Sequence, residues 1–273
     1  TPHVAVAIGL AFLIAPSGWA ARLISPWLTG WNTPPDVAVV HDALGLSLVL
    51  GLLLKEVPFL LLMTLAALNQ VRSRESLVAA RSLGYAPASA WLKTVLPRIY
   101  PQIRLPVFAV LAFSMSVVDV AVVLAPTTPP PLSVLVFRMF MDRELAMIFP
   151  ASAGACLQFL MVGAAIGLWR SGEFAVARMA GPWMVRGPVE RTGSWLSGIW
   201  AAGVGVLVLL SILGTFSLGF WSLAKSWFYP QALPSAFTLA HWARHLPDLV
   251  RPGLTTLFTG VAAAFVALVL ALG

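Results

Sequence analysis

The chain has 273 residues, of which 59% are hydrophobic and only 10% are charged. Soluble domains carry about 25% charged residues, so this composition excludes a water-soluble protein and indicates an integral membrane protein. The formal net charge of +7 does not predict a nucleic-acid partner, because basic residues collect in the cytoplasmic loops of membrane proteins.

Six apolar stretches are long enough to cross a lipid bilayer, which takes about 20 helical residues. They are residues 4–24, 43–68, 105–125, 147–169, 194–218 and 253–273. The first is interrupted by Pro16-Ser17-Gly18. The sequence therefore predicts an all-α, polytopic bundle of transmembrane helices. Because both ends of the chain lie in apolar stretches, we also expect it to be a fragment of a longer protein.

Basic residues concentrate in two of the connecting segments. Segment 69–104 holds six arginines and lysines against a single acid, Glu75, and segment 170–193 holds four arginines. Segment 25–42 has neither lysine nor arginine. The positive-inside rule therefore places 69–104 and 170–193 in the cytoplasm.

The first half of segment 69–104 has the signals of a short helix. Ser73 suits an N-cap, and Glu75 suits the positive end of the helix dipole. Helical residues are expected up to about Leu83, and Gly84 fits a left-handed position just after the helix.

A second short helix is expected to follow this glycine. Pro87 fits its first turn, and Pro97 is expected to end it at Leu96. The side chains that recur with helical spacing on its apolar face are Ala88, Trp91, Leu92 and Val95. This basic helix pair either lies on the inner leaflet or docks a cytoplasmic partner, and periodicity does not separate the two interpretations.

The stretch "VAARSLGYAPASAWLKTVLP" (residues 78–97) resembles the EAA loop of permease subunits in binding-protein-dependent ABC importers. That motif reads Glu-Ala-Ala, three residues, Gly, about nine residues, an aliphatic residue, one residue and Leu-Pro. The residues at matching positions are Ala79, Ala80, Gly84, Leu96 and Pro97. Val78 stands where the motif has glutamate, with Glu75 one turn earlier, and Thr94 stands where it has the aliphatic residue.

The resemblance extends along the chain. "LLKEVPFLLLMTLAAL" (53–68) looks like the family's helix leading into the loop, and "FSLGFWSLAKSWFYPQALPSAFTLAHW" (216–242) looks like the opening of a second permease unit. The chain is thus similar to the double-length permeases of the iron, thiamine and polyamine-like group. This implies that residues 1–193 are most of a first unit, with about four spans and the loop at 70–104, and that 194–273 begin a second unit with about two spans.

The resemblance implies a multi-pass permease of the bacterial inner membrane, a transport subunit rather than an enzyme and without a cofactor. A pair of cytoplasmic ABC ATPase subunits and a periplasmic or extracellular solute-binding protein are the implied partners, besides the lipid bilayer. The residues implied to couple to the ATPase are Ala79, Ala80, Arg81, Leu83, Gly84, Tyr85, Pro87, Leu96 and Pro97. The chain has no G-x-x-x-x-G-K-[ST] phosphate loop, so ATP hydrolysis is expected on another subunit. An ATP-independent secondary transporter or channel is the alternative.

Ionisable residues inside spans are costly and mark functional sites. Asp119 lies in the middle of predicted span 105–125 and is a candidate for the translocation path. Lys55 and Glu56 are expected to neutralise each other beside a helix break at Pro58.

Two further patterns favour structural interpretations. His241, His245 and Asp248 have a spacing that can hold a metal on one helix face, but an interfacial helix is the favoured interpretation and no metal site is predicted. Gly163 and Gly167 form a GxxxG pattern, which allows close helix packing.

Overall fold

The computed structural model describes residues 3–187 and 195–272. Its α-helices in chain order are α1 (His3–Ile14), α2 (Trp19–Ile24), α3 (Leu46–Gln70), α4 (Ser73–Ser82), α5 (Pro87–Ala90), α6 (Leu96–Ser116), α7 (Asp119–Leu124), α8 (Leu132–Phe140), α9 (Ile148–Val185), α10 (Trp195–Leu223) and α11 (Ala240–Leu272). A π-helical turn covers Trp91–Val95, and a 3₁₀ turn covers Leu145–Met147. Two short antiparallel strands, β1 (Ala224–Ser226) and β2 (Ala236–Phe237), form a hairpin after α10.

The described residues contain six helical segments long and apolar enough to cross a membrane, which confirms the predicted all-α, polytopic fold class. They are His3–Ile24, Leu46–Gln70, Pro87–Ser116, Leu145–Val185, Gly198–Leu223 and Ala240–Leu272. The third, fourth and sixth are longer than predicted because they continue into the polar segments beside the bilayer. The predicted boundary between residues 193 and 194 lies outside the described residues.

Proline interrupts the helix in the first span but not in the second. The first is interrupted where the sequence predicted it, since α1 ends at Ile14 and α2 begins at Trp19. The expected helix break at Pro58 is wrong, because α3 runs without interruption from Leu46 to Gln70. Pro58 removes one backbone donor, and the packed neighbours of α3 keep the rest of the helix together.

Lys55 and Glu56 occupy the middle of α3. The Lys55 ammonium lies 3.4 Å from the Glu56 carboxylate and also over the ring of Phe113 on α6. Glu56 is buried, with 7% of its surface exposed. The pair therefore neutralises its own charge inside the helix bundle.

An aspartate caps the start of α3. The backbone amides of Leu46 and Ser47 donate to the Asp42 carboxylate over 2.7 and 2.9 Å, and the Ser47 hydroxyl donates over 2.7 Å. The amide of Ser47, followed by the other donors, holds the pKa of Asp42 below its usual range. The cap is therefore present at neutral pH, and its contribution to stability is lost as the pH falls through that lowered pKa.

The main core lies between α1, α3 and α7. Its buried members include Leu10, Leu54, Val120 and Leu124, which are at most 4% exposed. Apolar side chains on α9 and α11 are instead largely exposed. Hydrocarbon or further protein must cover such faces, because a soluble surface does not tolerate apolar patches of this extent.

Two glycines bring α1 and α10 into close contact. A Cβ atom added at Gly9 would lie 2.5 Å from the carbonyl oxygen of Gly214, and one added at Gly214 would lie 3.2 Å from the Gly9 carbonyl carbon. The glycines of the GxxxG pattern make no such contact among the described residues. Added Cβ atoms at Gly163 and Gly167 meet no described atom within 4 Å.

We expect Gly9→Ala to destabilise the protein by about 1–3 kcal/mol, because the new methyl group overpacks the contact with α10. Gly163→Ala is the matched control, with a neutral effect or a gain of up to about 1 kcal/mol from helix propensity. Thermal unfolding of both variants in detergent measures the difference. Equal midpoints would contradict the importance of the Gly9–Gly214 contact.

Candidate functional site

The site is the polar loop between α3 and α6, at the basic end of the helix bundle. Its first helix, α4, ends in a Schellman motif. The amide of Gly84 donates to the Arg81 carbonyl over 3.0 Å, and the amide of Tyr85 donates to the Ala80 carbonyl over 3.2 Å. Gly84 has φ +88°, as predicted, and a side chain at this position would be strained.

The cap prediction for α4 is wrong in detail. Ser73 is the first helical residue rather than the N-cap, and the cap residue, Arg72, makes no side-chain capping bond. Glu75 does lie in the first turn, where it pairs with Arg72 over 3.6 Å. Both of these side chains are exposed.

The second helix of the loop begins at Pro87, as predicted, but it does not end at Leu96. Helix α5 passes through the π-helical turn Trp91–Val95 directly into α6, with Pro97 in the first turn of α6. The wider π turn accommodates the break in the hydrogen-bond pattern before the proline. The hydroxyl of Thr94 donates to the Ala90 carbonyl over 2.7 Å, so this interrupted turn keeps its polar groups paired.

The inner face of the loop packs on a small core of its own. Ala67, Val95 and Ile99 form this core, and each is at most 4% exposed. Ala80 of α4 and Ala90 of α5 are buried to a similar degree. Small side chains let the two loop helices lie close to α3 and α6, and they fix the position of the joint.

The outer face of α4 and the joint remain accessible. Leu83 and Val78 are 71% and 60% exposed. The predicted coupling residues that lie on the exposed surface are Ala79, Arg81, Leu83, Gly84, Pro87 and Pro97. Tyr85 and Leu96 are half-buried, and Ala80 faces inward. The loop therefore presents a mixed apolar and basic surface on a rigid base.

The end of α9 lies against this loop. The Lys93 ammonium and the Tyr85 hydroxyl donate to the Arg186 carbonyl over 2.8 and 3.4 Å. The same ammonium lies 4.6 Å from the ring centre of Trp183 and 5.1 Å from that of Tyr85. A cleft of about 360 Å³ separates α4 from the π turn, and Met184 of α9 lines one side of it. The predicted span ends at residue 169, so this contact of the far end of α9 was not predicted.

A charged cluster joins α6 to α9 one level further from the loop. The Tyr100 hydroxyl donates to the Glu173 carboxylate over 2.5 Å, and Arg104 pairs with Glu173 over 3.3 Å. Arg170 pairs with Glu173 from the same helix, α9, and the Trp169 indole donates to the Tyr100 hydroxyl over 2.9 Å. The Glu173 side chain is only 10% exposed. No sequence pattern indicated this cluster, because the residues on α6 and those on α9 are about 70 residues apart in the chain.

The span that follows the loop is broken at Val117, so predicted span 105–125 is not a single helix. The Ser133 hydroxyl donates to the Val117 carbonyl over 2.7 Å, and the Gln158 side-chain amide donates to the Met115 carbonyl over 2.9 Å. These side chains, from α8 and α9, supply partners for carbonyls that the interrupted helix leaves free. Neither glycine nor proline marks the break, and that is why the sequence did not reveal it.

Asp119 is the first residue of α7, directly after this break, rather than the middle of a continuous helix. Its side chain is half-buried. Within residues 3–187 and 195–272 its carboxylate has neither a hydrogen-bond partner nor an ion-pair partner. In the same described ranges, no three His, Cys, Asp or Glu side chains come together as a metal site.

The chain is similar to the inner membrane ABC transporter permease protein YnjC of Escherichia coli (strain K12). The two are 29% identical over 216 residues, which are 78% of this chain and 40% of that protein. The chain therefore spans about two fifths of the length of the relative that it matches. The similarity and the six span-length helices confirm the predicted multi-pass location in the inner membrane.

Comparison with family models gives no match. Comparison with solved structures also gives no match.

We expect Ser133→Ala to destabilise the protein by about 1–3 kcal/mol, because it leaves the buried Val117 carbonyl without a partner. Ser152→Ala is the control, since its exposed hydroxyl donates to a carbonyl of its own helix, that of Ile148. Thermal unfolding in detergent measures both changes. A loss no larger than that of Ser152→Ala would show that Ser133 does not support the break.

Proposed function

We propose that the chain is part of the transmembrane permease of an ATP-driven solute importer, coupled to a cytoplasmic ATPase pair through loop 70–104. The observation that carries this proposal is the loop itself, a Schellman-closed helix pair whose inner face is packed and whose outer face is open. The similarity of the chain to an inner membrane ABC permease supports the same assignment. A solute-binding protein at the opposite end delivers the solute.

The proposal favours docking over an inner-leaflet location for the loop. A helix pair that rests on lipid turns its apolar side chains toward the membrane. Here the small apolar side chains of the inner face already pack on α3 and α6, while Val78, Leu83 and Arg81 are exposed on the other side. A protein groove suits such a mixed surface, because Arg81 can make charge-assisted hydrogen bonds beside apolar contacts.

We further propose that the chain has the two-unit organisation of the double-length permeases, with units at 1–193 and 194–273. The resemblance of residues 216–242 to the opening of a permease unit supports this proposal. In this organisation the close α1–α10 contact at Gly9 and Gly214 joins the two units. The translocation path then runs beside Asp119, because a carboxylate that has no partner among the described residues is costly to place against hydrocarbon.

Gly84→Val tests the coupling role of the loop. The left-handed backbone at this joint costs a residue with a side chain about 1–2 kcal/mol, and the bulk of valine crowds the docking surface. We expect the variant to insert in the membrane but to lose ATPase co-purification, or to keep it while ATP hydrolysis no longer drives uptake.

Gly30→Val is the matched control for this experiment. Gly30 also has a positive φ, +67°, and no described atom lies within 4 Å of its added Cβ. It lies in the acidic segment at the opposite end of the protein. If Gly84→Val keeps full ATPase association and full transport, the coupling role is wrong and the inner-leaflet location becomes the better interpretation.

Asp119→Leu tests the translocation path. We expect uptake to fall while ATPase co-purification is unchanged, because the substitution lies far from the loop. The solute is first identified by thermal-shift screening of the cognate binding protein. Asp36→Leu serves as the control, because Asp36 is another aspartate at the end of the protein opposite the loop. Normal uptake by Asp119→Leu at normal expression would show that the carboxylate is only structural.

An ATP-independent secondary transporter is the second candidate. One specific observation favours it, since secondary transporters build their sites at broken transmembrane helices with ionisable residues, and Asp119 lies at such a break. Uptake in vesicles that lack ATPase subunits would support this candidate and contradict the first.

A further inference from the structure

Helix α9 is the longest helix of the described chain and reaches from the broken span to the loop. Its 38 residues, at about 1.5 Å each, make it about 57 Å long, whereas the hydrocarbon core of a bilayer is about 30 Å thick. Its prolines lie in its first and last turns, Pro150 and Pro182. Helix α9 therefore extends beyond the bilayer without an interruption.

Hydrogen bonds and ion pairs join α9 to α6 and to the loop at three places, which we call ties. The first, at the broken span, is the hydrogen bond from Gln158 to the Met115 carbonyl. The second is the binding of Glu173 to Tyr100 and Arg104 of α6. The third, at the loop, is the Arg186 carbonyl, which accepts from Lys93 and Tyr85. Along the helix, Gln158 lies in the first third, Glu173 lies in the last third and Arg186 directly follows the C-terminal end.

The direct route through α6 is less regular. It starts with the π turn Trp91–Val95, contains Pro101 and Pro106, and ends at the break at Val117. π turns and internal prolines are the usual places where a helix bends. A displacement of the loop is therefore transmitted more directly by α9 than by α6.

Glu173 makes two of the links in the middle tie, and the Trp169 indole adds a third by donating to the Tyr100 hydroxyl over 2.9 Å. The two carboxylate oxygens of Glu173 bind Tyr100 and Arg104 of α6, and Arg170 is its remaining partner. The Glu173 carboxylate is only 10% exposed, while its partners Arg104 and Arg170 are 33% and 57% exposed, so removal of its cationic partners would leave a nearly buried charge uncompensated. Such pairs therefore hold a fixed relation between two helices better than exposed pairs do.

We propose that Glu173 is a positioning residue that locks α9 to α6, so that α9 carries a displacement of the loop to the helix break beside Asp119. The proposal rests on the proposed function, since the displacement comes from a docked ATPase. Glu173 acts through α9 and touches neither solute nor nucleotide.

The test measures the movement of α9 in the full-length chain with its ATPase subunits in nanodiscs. Spin labels are placed on cysteines at Leu44 and Leu145, which are 82% and 79% exposed and precede α3 and α9 at the end opposite the loop. Cys156→Ser and the replacement of any other cysteine provide the background. Electron–electron resonance then gives the label distance without nucleotide and after trapping with ATP and orthovanadate, so no solute is needed.

We expect the label distance to shift on trapping in the parent protein. Glu173→Ala should lose more than half of this shift, and Tyr100→Phe, which removes a single hydroxyl, should also reduce it. Arg170→Gln is the matched control and should keep the shift, because Arg170 binds Glu173 within α9 and does not join it to α6. A purely structural role would lower thermal stability without changing the nucleotide-dependent shift.

The possible results separate the inference from the proposed function. If ATPase subunits bind and hydrolyse ATP but α9 does not move, or moves equally in Glu173→Ala and Tyr100→Phe, the inference is overturned. If Glu173→Ala fails to fold, the shift of Tyr100→Phe is compared with that of Arg170→Gln. Equal shifts in these two variants overturn the inference. If the parent protein binds no ATPase subunit, the proposed function itself is overturned.

Discussion

A chain inside hydrocarbon has to satisfy its own backbone hydrogen bonds, and this constraint shapes the whole protein. Unbroken helices meet it with their own backbone bonds, and α3 lacks one of these bonds at Pro58, which has no backbone N–H. The broken span does not meet it in this way, and its freed carbonyls at Val117 and Met115 are bound by Ser133 and Gln158. The break therefore exists only because α8 and α9 lie beside it. Its geometry depends on the position of those two helices.

The loop at the basic end follows a different rule, because water and polar side chains are available there. Its helix α4 ends on two backbone bonds around Gly84, which need no side chain. The small residues Ala80 and Ala90 then bring the helix pair against α3 and α6. An exposed surface with a fixed shape is what a groove on another protein requires, since little conformational entropy is lost when it binds.

Local signals in the sequence predicted local structure well. Proline and glycine located the interruption after Ile14, the joint at Gly84 and the start of α5 at Pro87, because these residues restrict or extend the backbone wherever they stand. The same logic failed at Pro97, where a π turn absorbs the proline. It also failed at Val117, where the partners that permit a break come from α8 and α9. The contacts of Glu173 and of Gly9 could not be predicted for the same reason, because each joins residues that are distant in the chain.

Asp119 and the loop lie at different heights of the membrane protein, yet both depend on α9. The carboxylate follows a break that Gln158 of α9 helps to hold, and the joint of the loop lies against the Arg186 carbonyl at the other end of that helix. Ionisable side chains inside spans are costly, and the Asp119 carboxylate has no hydrogen-bond or ion-pair partner among the described residues. A shift of α9 therefore changes both the surroundings of Asp119 and the contact between the loop and the Arg186 carbonyl. A protein that opens a path at one end in response to a partner at the other requires this kind of shared element.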